Sequence, residues 1–367
     1  MKIGYIVDNL DYKNGGGRFC RDLISQIKLA LPDCEQKILV KSSSAPSENS
    51  LVLGVSKLGI IRRALRLRSF IRDCDIIHAF DGMPYGLLAA LLTLGLRRKF
   101  IITVIGSGSI KLLQSFWLRL ILSWVYKRAA KIIAISSYTA REIQKKVPQL
   151  NIEVITPGID LSHFRSLAAE IAAGANEFTN LAPYILSVGR LKPRKGYLQS
   201  LRVFALLRQQ FPLLKYVIVG SGEGEYWDKM QEFIADNHLT EAVVILRNIS
   251  DQDLVKLYTA AELFILLPQN DNYDIEGFGL VYVEAASFGL PVIGARDSGA
   301  EDALRDGYNG ALVSPNDTSE AATAAAKILA NPQDRERLRQ NARHFSQEMD
   351  WPVIREDYVR IYRQLTK

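Results

Sequence analysis

Short runs rich in Val, Ile and Leu recur along this chain, at 3–7, 37–40, 75–79, 100–104, 132–135 and 152–155, each separated from the next by a longer stretch with helical spacing. Apolar runs of this length suit strands buried on both faces, and their alternation with helices predicts a parallel sheet covered on both sides. After a weakly patterned stretch at 165–182, which contains Ala-Ala-Gly-Ala-Asn, the pattern restarts at 184–188, 216–219, 243–246, 263–267 and 291–293. The expectation is an α/β chain of two Rossmann-like, doubly wound domains, residues 1–165 and 182–350, with a helix at about 351–367 crossing back to the first. A length of 367 residues suits two such cores better than one.

Composition narrows the setting. Hydrophobic residues make up 48% and charged residues 23%, which argues against extended disorder and against a membrane-embedded chain. The longest uncharged apolar stretch, 83–96, is shorter than the ~20 residues of a spanning helix, and the stretch 112–126 carries Arg119 in its middle. Residues 1–10 pattern as a buried strand without the apolar core and cleavage site of a signal peptide, so a cytoplasmic setting is expected. Cys20, Cys34 and Cys74 have neither metal-ligand nor CxxC spacing and fit reduced core thiols. The net charge of +7 is uneven: residues 1–165 hold 25 Lys plus Arg against 12 Asp plus Glu, a net of +13, and the remainder 21 against 27, a net of −6. A basic first half suits an anionic partner, whether membrane surface, polyanionic glycan or nucleic acid.

The stretch 274–293 carries the most chemistry. Gly277 and Gly279 keep the backbone around Phe278 non-helical and open to close approach by a ligand, and from Leu280 the pattern is helical until Gly289. The start of that helix offers unpaired N–H groups and a positive dipole end to a phosphate. Glu284, one turn inside, can reach hydroxyls on the same side, and Glu276 in the loop before it would sit near a sugar.

Glu276 and Glu284, with seven residues between them and followed by Ala-x-x-x-Gly-x-Pro-Val-Ile, resemble the signature of glycosyltransferase family 4, retaining enzymes of the GT-B fold in which two Rossmann-like domains face each other across a cleft. Ser187-Val188-Gly189-Arg190-Leu191 with Lys195-Gly196, Val219-Gly220-Ser221-Gly222-Glu223 and residues 306–310 fall in the family's order, as do the first-half motifs at 14–17, 75–79, 134–137 and 154–160. The resemblance implies a nucleotide-sugar donor and no metal ion or other cofactor. It implies that Arg190 and Lys195 grip the diphosphate and stabilise the charge that builds on the leaving group. It gives Glu284 the ribose hydroxyls, Glu276 the donor sugar, and the backbone of Gly277, Phe278, Gly279 and Leu280 the sugar and phosphate. Gly189, Gly220 and Gly222 are expected near the nucleotide, although the Gly220-Ser221-Gly222 turn is equally a tight strand end.

One position departs from the family. Many relatives carry His-Gly where this chain reads Ile105-Gly106, so the contact of that histidine with the donor sugar is absent or is replaced by Ser107 or Ser109. Residues 297–301, Asp-Ser-Gly-Ala-Glu, replace a commoner Gly-Gly pair, with Gly299 keeping the turn and Glu301 the acid. Gly15, Gly16 and Gly17 after the first strand either bring backbone N–H groups to a phosphate or acceptor, or make a plain tight turn. His78, at a strand end, is read as structural. Residues 57–72 contain six cations and no acid; Ile60, Ala64, Leu67 and Ile71 share one helical face, opposite Arg62, Arg63 and Arg66. That helix either packs on its sheet with a solvated basic back or, with the Trp-, Leu- and Arg-rich stretch 111–131, docks on anionic lipid. The expected function is transfer of a hexose to a glycan or lipid-linked acceptor in envelope polysaccharide or glycolipid synthesis. The alternatives are an epimerase or phosphorylase on the same fold, or a basic nucleic-acid-binding module, for which no binding motif is found.

Overall fold

The computed structural model describes residues 1–12, 15–41, 50–52, 64–171 and 176–366. They form two compact units, Met1–Gly158 with Trp351–Lys367, and Ile159–Asp350.

In the first unit β1 (Lys2–Val7), β2 (Glu35–Val40), β3 (Ser50–Val52), β4 (Ile76–Phe80), β5 (Lys99–Val104), β6 (Lys131–Ala134) and β7 (Ile152–Val154) form one parallel sheet, ordered β3-β2-β1-β4-β5-β6-β7. Strand order reverses between β1 and β4, the place where an open α/β sheet leaves room for a ligand beyond its carboxyl ends. β4 is buried at every position, as a strand covered on both faces must be. The helix Trp351–Thr366 packs here, against the helix Gly15–Ala30. Trp351 stacks on Phe19 with ring centroids 6.1 Å apart, and a Cβ at Gly158 would come within 2.6 Å of its indole, so only glycine fits beside it. Within this core His78 lies with Nδ1 2.6 Å from the Tyr362 hydroxyl and Nε2 2.7 Å from the Thr103 hydroxyl. Both ring nitrogens are used, which makes His78 a core residue. Burial brings its imidazole down to about 3. Cys20, Cys34 and Cys74 are buried free thiols of the same unit.

In the second unit β8 (Tyr184–Val188), β9 (Lys215–Val219), β10 (Val243–Leu246), β11 (Leu263–Ile265), β12 (Val292–Ala295) and β13 (Gly310–Val313) form a parallel sheet ordered β10-β9-β8-β11-β12-β13. The order reverses between β8 and β11.

Several boundaries differ from expectation. The chain enters the second unit at Ile159, not after 165, because Leu161 and Phe164 give the helix Leu161–Ile171 a buried face and Phe164 meets Phe288 edge-on at 5.7 Å. β3 and β13 were not anticipated: each is a short edge strand, and β13 opens on Gly310, where a Cβ would meet the Val292 carbonyl oxygen at 1.9 Å. Of the basic segment 57–72, Arg62, Arg63 and the side chain of Arg66 lie outside the described residues; the helix Ala64–Ile71 does bury Leu67 and Ile71. Among the described residues no helix is long and apolar enough to cross a membrane.

His78 has a consequence in pH. An unfolded imidazole titrates near ~6.5 and the folded one at about 3, so between these values the unfolded chain binds the extra proton and stability falls as pH falls. Urea midpoints are expected to decline from about pH 7 to about pH 4, and to decline less in His78→Gln, which keeps a hydrogen-bonding amide without a titrating ring. Parallel declines in the two proteins would show that His78 does not set this dependence.

Candidate active site

The loops leaving β8 and β11, neighbours at the strand-order reversal of the second unit, are held together by backbone before any side chain acts. Gly196 has φ +69°, and a Cβ there would lie 1.6 Å from the Leu267 carbonyl oxygen, so no other residue lets the β8 loop run this close to the β11 loop. The Gln269 N–H donates to the Arg194 carbonyl at 2.9 Å, and the Gly299 N–H to the Glu276 carbonyl at 2.9 Å. Gly299 is equally constrained, since a Cβ would fall 2.3 Å from the Gly277 carbonyl carbon.

This framework brings Lys195 and Glu276 together. The Lys195 ammonium lies 2.7 Å from Glu276 Oε2, and Arg194 donates to the same oxygen at 2.7 Å. Arg194 also reaches the Ile275 carbonyl at 3.3 Å and Asp274 at 3.5 Å. Glu276 is 7% exposed and Lys195 8%. Burial works to raise the Glu276 carboxyl, but the Lys195 ammonium and then the Arg194 guanidinium outweigh it and hold the group below the usual range. The cluster is therefore a buried carboxylate shared by two cations, one of which, Arg194, also meets the more exposed Asp274, at the carboxyl ends of two strands. Arg190 is exposed on the same loop and is not part of it.

The start of the helix Leu280–Ser287 follows directly. Gly279 caps it at φ +89°, a left-handed conformation available to glycine at little cost. Phe278 is buried, so what it can offer a ligand is backbone. Glu284 is buried on this helix, with the Tyr258 hydroxyl donating to its Oε2 at 3.2 Å. Gly220 and Gly222 answer to packing: a Cβ at Gly220 would lie 2.0 Å from the Gly189 carbonyl oxygen, and one at Gly222 would lie 2.6 Å from Leu191 Cβ. They let the β9 loop run beside the β8 loop, where the Leu191 N–H donates to the Ser221 carbonyl at 2.9 Å.

In the first unit the three glycines after β1 separate by role. Gly17 is buried where a Cβ would strike Asn9 Oδ1 at 2.1 Å, whereas Gly15 is exposed with nothing within 4 Å of such an atom. Gly16 lies between them, half-buried, at the start of the helix Gly15–Ala30.

The position that departs from the family is held by a residue the sequence reading missed. Asp81, at φ +73° after β4, accepts from the Ile105 N–H and from the Ser109 hydroxyl, each at 3.0 Å. The Gly82 N–H donates to Ser109 at 3.0 Å. Ser109 is fully buried in these bonds and so does not replace the histidine; Ser107 is half-buried. Burial pushes the Asp81 carboxyl up to about 6. Arg194 and Tyr258 were missed too. Arg194 was signalled only by adjacency to Lys195, and Tyr258 had no signal, being brought to Glu284 by the fold.

Comparison with known proteins places this arrangement. The family model for glycosyl transferases group 1 matches residues 172–345, and that for glycosyltransferase family 4 matches residues 38–163. A GDP-mannose-dependent alpha-(1-6)-phosphatidylinositol monomannoside mannosyltransferase of Mycolicibacterium smegmatis is 30% identical over 203 residues, 54% of this chain and 52% of that protein, so the match spans about half the length of that relative. The fold matches a sucrose-phosphate synthase from Thermosynechococcus elongatus with a TM-score of 0.79 at 19% identity, over 100% of this chain and 99% of that one. It also matches Anabaena HepE in complex with UDP, with a TM-score of 0.79 at 20% identity, over 99% of this chain and 100% of that one. Two parallel α/β units in this order, and the two family models that between them match most of the sequence, show that the chain belongs to glycosyltransferase family 4 and has the GT-B fold.

Proposed function

We propose that this protein transfers a hexose from a nucleoside diphosphate carrier to a glycan or lipid-linked acceptor, with retention of configuration and without a metal ion, in cytoplasmic steps of envelope polysaccharide or glycolipid synthesis. The observation that carries the reading is the buried Lys195–Glu276–Arg194 cluster beside the start of the helix Leu280–Ser287. Cations fixed in a largely dry site stabilise charge developing on a departing diphosphate far better than mobile ones in water. Lys195 takes that role from within the site and Arg190 joins it from its exposed place on the same loop, the Gly279–Leu280 helix start adds N–H donors, Glu276 takes sugar hydroxyls and Glu284 the ribose. The bond from the anomeric carbon to the diphosphate breaks, the acceptor oxygen bonds to the same face, and its proton passes to the departing phosphate.

Similar proteins include a GDP-mannose-dependent mannosyltransferase and a protein crystallised in complex with UDP, which supports the donor class and leaves the base open. The first unit, basic and carrying the open Gly15, is assigned the acceptor. The comparisons lend no support to an epimerase, a phosphorylase or a nucleic-acid-binding module.

Lys195→Ala and Arg190→Ala are expected to lower turnover roughly 10²-fold or more, whereas Glu284→Ala raises KM for the donor. Equal, small effects from all three would place the chemistry elsewhere. Stability separates the cluster's members further. Glu276→Ala strands the buried Lys195 ammonium, while Arg194 keeps Asp274, and should cost about 3–5 kcal/mol; Lys195→Ala leaves Glu276 paired with Arg194 and should cost less; melting curves decide the order. Transfer is expected to persist in a chelator, and complete loss that added metal restores would overturn the metal-free reading. At one common concentration, the nucleoside diphosphate with the lowest Kd should stabilise most, by ~2.7 kcal/mol where that concentration is about 100 times its Kd, and the ranking identifies the base.

A further inference from the structure

The helix Phe116–Arg128 is apolar around most of its circumference, yet only part of it is covered. Leu122, Val125 and Tyr126 pack into the first unit, while Phe116, Trp117, Leu120, Ile121 and Trp124 are exposed, Trp117 by 73% and Phe116 by 55%. At about 100° per residue these five positions share an arc of roughly 140° on the side away from the core, where a surface helix of a globular unit ordinarily carries polar residues.

Cations flank this arc in a stretch of sequence without acids. Between Asp81 and Glu142 the sequence contains no Asp or Glu. Lys111, Lys127 and Arg128 are exposed at either end of the helix. Arg119 lies over the Phe116 ring at 5.7 Å and Arg128 over the Trp124 ring at 5.4 Å, an arrangement that keeps aromatic faces and positive charge together at one surface. The short helix Leu87–Leu92 packs against this helix and against the helix Ala64–Ile71. It adds exposed Leu91 and, just beyond its end, Leu94. Its other neighbour contributes Arg68 and Arg72 to a surface cavity of about 300 Å³ that Ser69 and Leu96 complete.

We propose that this face of the first unit docks on an anionic lipid bilayer, with the Phe116–Trp124 arc entering the boundary between headgroups and acyl chains and the flanking cations meeting lipid phosphates. A second copy of the chain is the weaker occupant, because a two-fold contact would set cations against cations with no acid among them. A 13-residue helix is too short to cross the bilayer and lies in its plane instead. Tryptophan suits that depth, with an apolar body and an N–H for the wet side. The donor cluster lies in the other unit, so either reading can fail without the other.

The test uses the full chain with sedimenting vesicles of phosphatidylcholine alone and of phosphatidylcholine mixed with phosphatidylglycerol. The wild-type protein should bind the mixed vesicles, be released by salt, and show a blue shift of tryptophan emission on binding. Trp117→Ser/Leu120→Ser/Trp124→Ser should weaken binding about tenfold or more and lose the shift. Lys127→Glu/Arg128→Glu should weaken it to a similar degree with the apolar arc intact. Because these side chains are exposed, melting temperature and nucleoside diphosphate binding should stay near wild type; should the first variant fail to fold, the second decides. Absence of binding to mixed vesicles, equal binding to neutral ones, or indifference to both variants would overturn the proposal. So would a concentration-dependent dimer that the first variant abolishes, which would assign the face to a second copy.

Discussion

A single carboxylate oxygen of Glu276 accepts both Lys195 and Arg194 at 2.7 Å, in a place water barely reaches. The loops it joins leave β8 and β11, strands that sit side by side where the sheet order reverses and from which the chain runs off in opposite directions. Without this link and the backbone contacts beneath it, those loops would have no reason to converge. Three charges in low dielectric are an expensive way to hold two loops, since apolar residues of similar size often do so as well or better. The arrangement makes sense as a site whose cations are kept dry and oriented for an anion.

The first unit treats its corresponding region differently. The ends of β4 and β5 are closed around Asp81, a residue in left-handed backbone whose carboxylate gathers the Ile105 N–H and the Ser109 hydroxyl. Holding a non-glycine residue there costs about 1–3 kcal/mol, which the surrounding bonds must offset. Where the family pattern has a histidine, this chain therefore has an aliphatic residue fixed by a buried acid. The two units share a topology, but one presents two cations gathered on a buried carboxylate at its strand ends and the other a closed turn around a buried acid.

Exposed apolar surface completes the division of labour. The second unit concentrates its chemistry in glycine-rich loops, whereas the first carries an uncovered aromatic helix on an acid-free stretch. The sequence showed the charge asymmetry and the Trp-rich stretch, but helical spacing alone did not tell which side of that helix the core would take. Leu122 and Trp124 are equally apolar in composition; packing separated them, burying the first and exposing the second.

The sequence by itself determined the alternating α/β order, the two parallel sheets, and the loop, helix start and paired glutamates at 276–284, because strand and helix periodicity and glycine placement are local properties. The family resemblance pointed to Lys195, and the fold sets it against Glu276. Tertiary structure alone decided that Arg194 would be the second cation on Glu276 while Arg190 stays exposed, that Tyr258 would meet Glu284, and that Asp81 would occupy Ser109. It also decided that the first unit ends at Gly158, where Trp351 from the far end of the chain leaves room for no side chain. Each of these joins residues distant in sequence, or chooses between neighbours of the same chemistry. Such choices depend on which backbone atoms come within a few ångströms of one another, and no local pattern of residues records that.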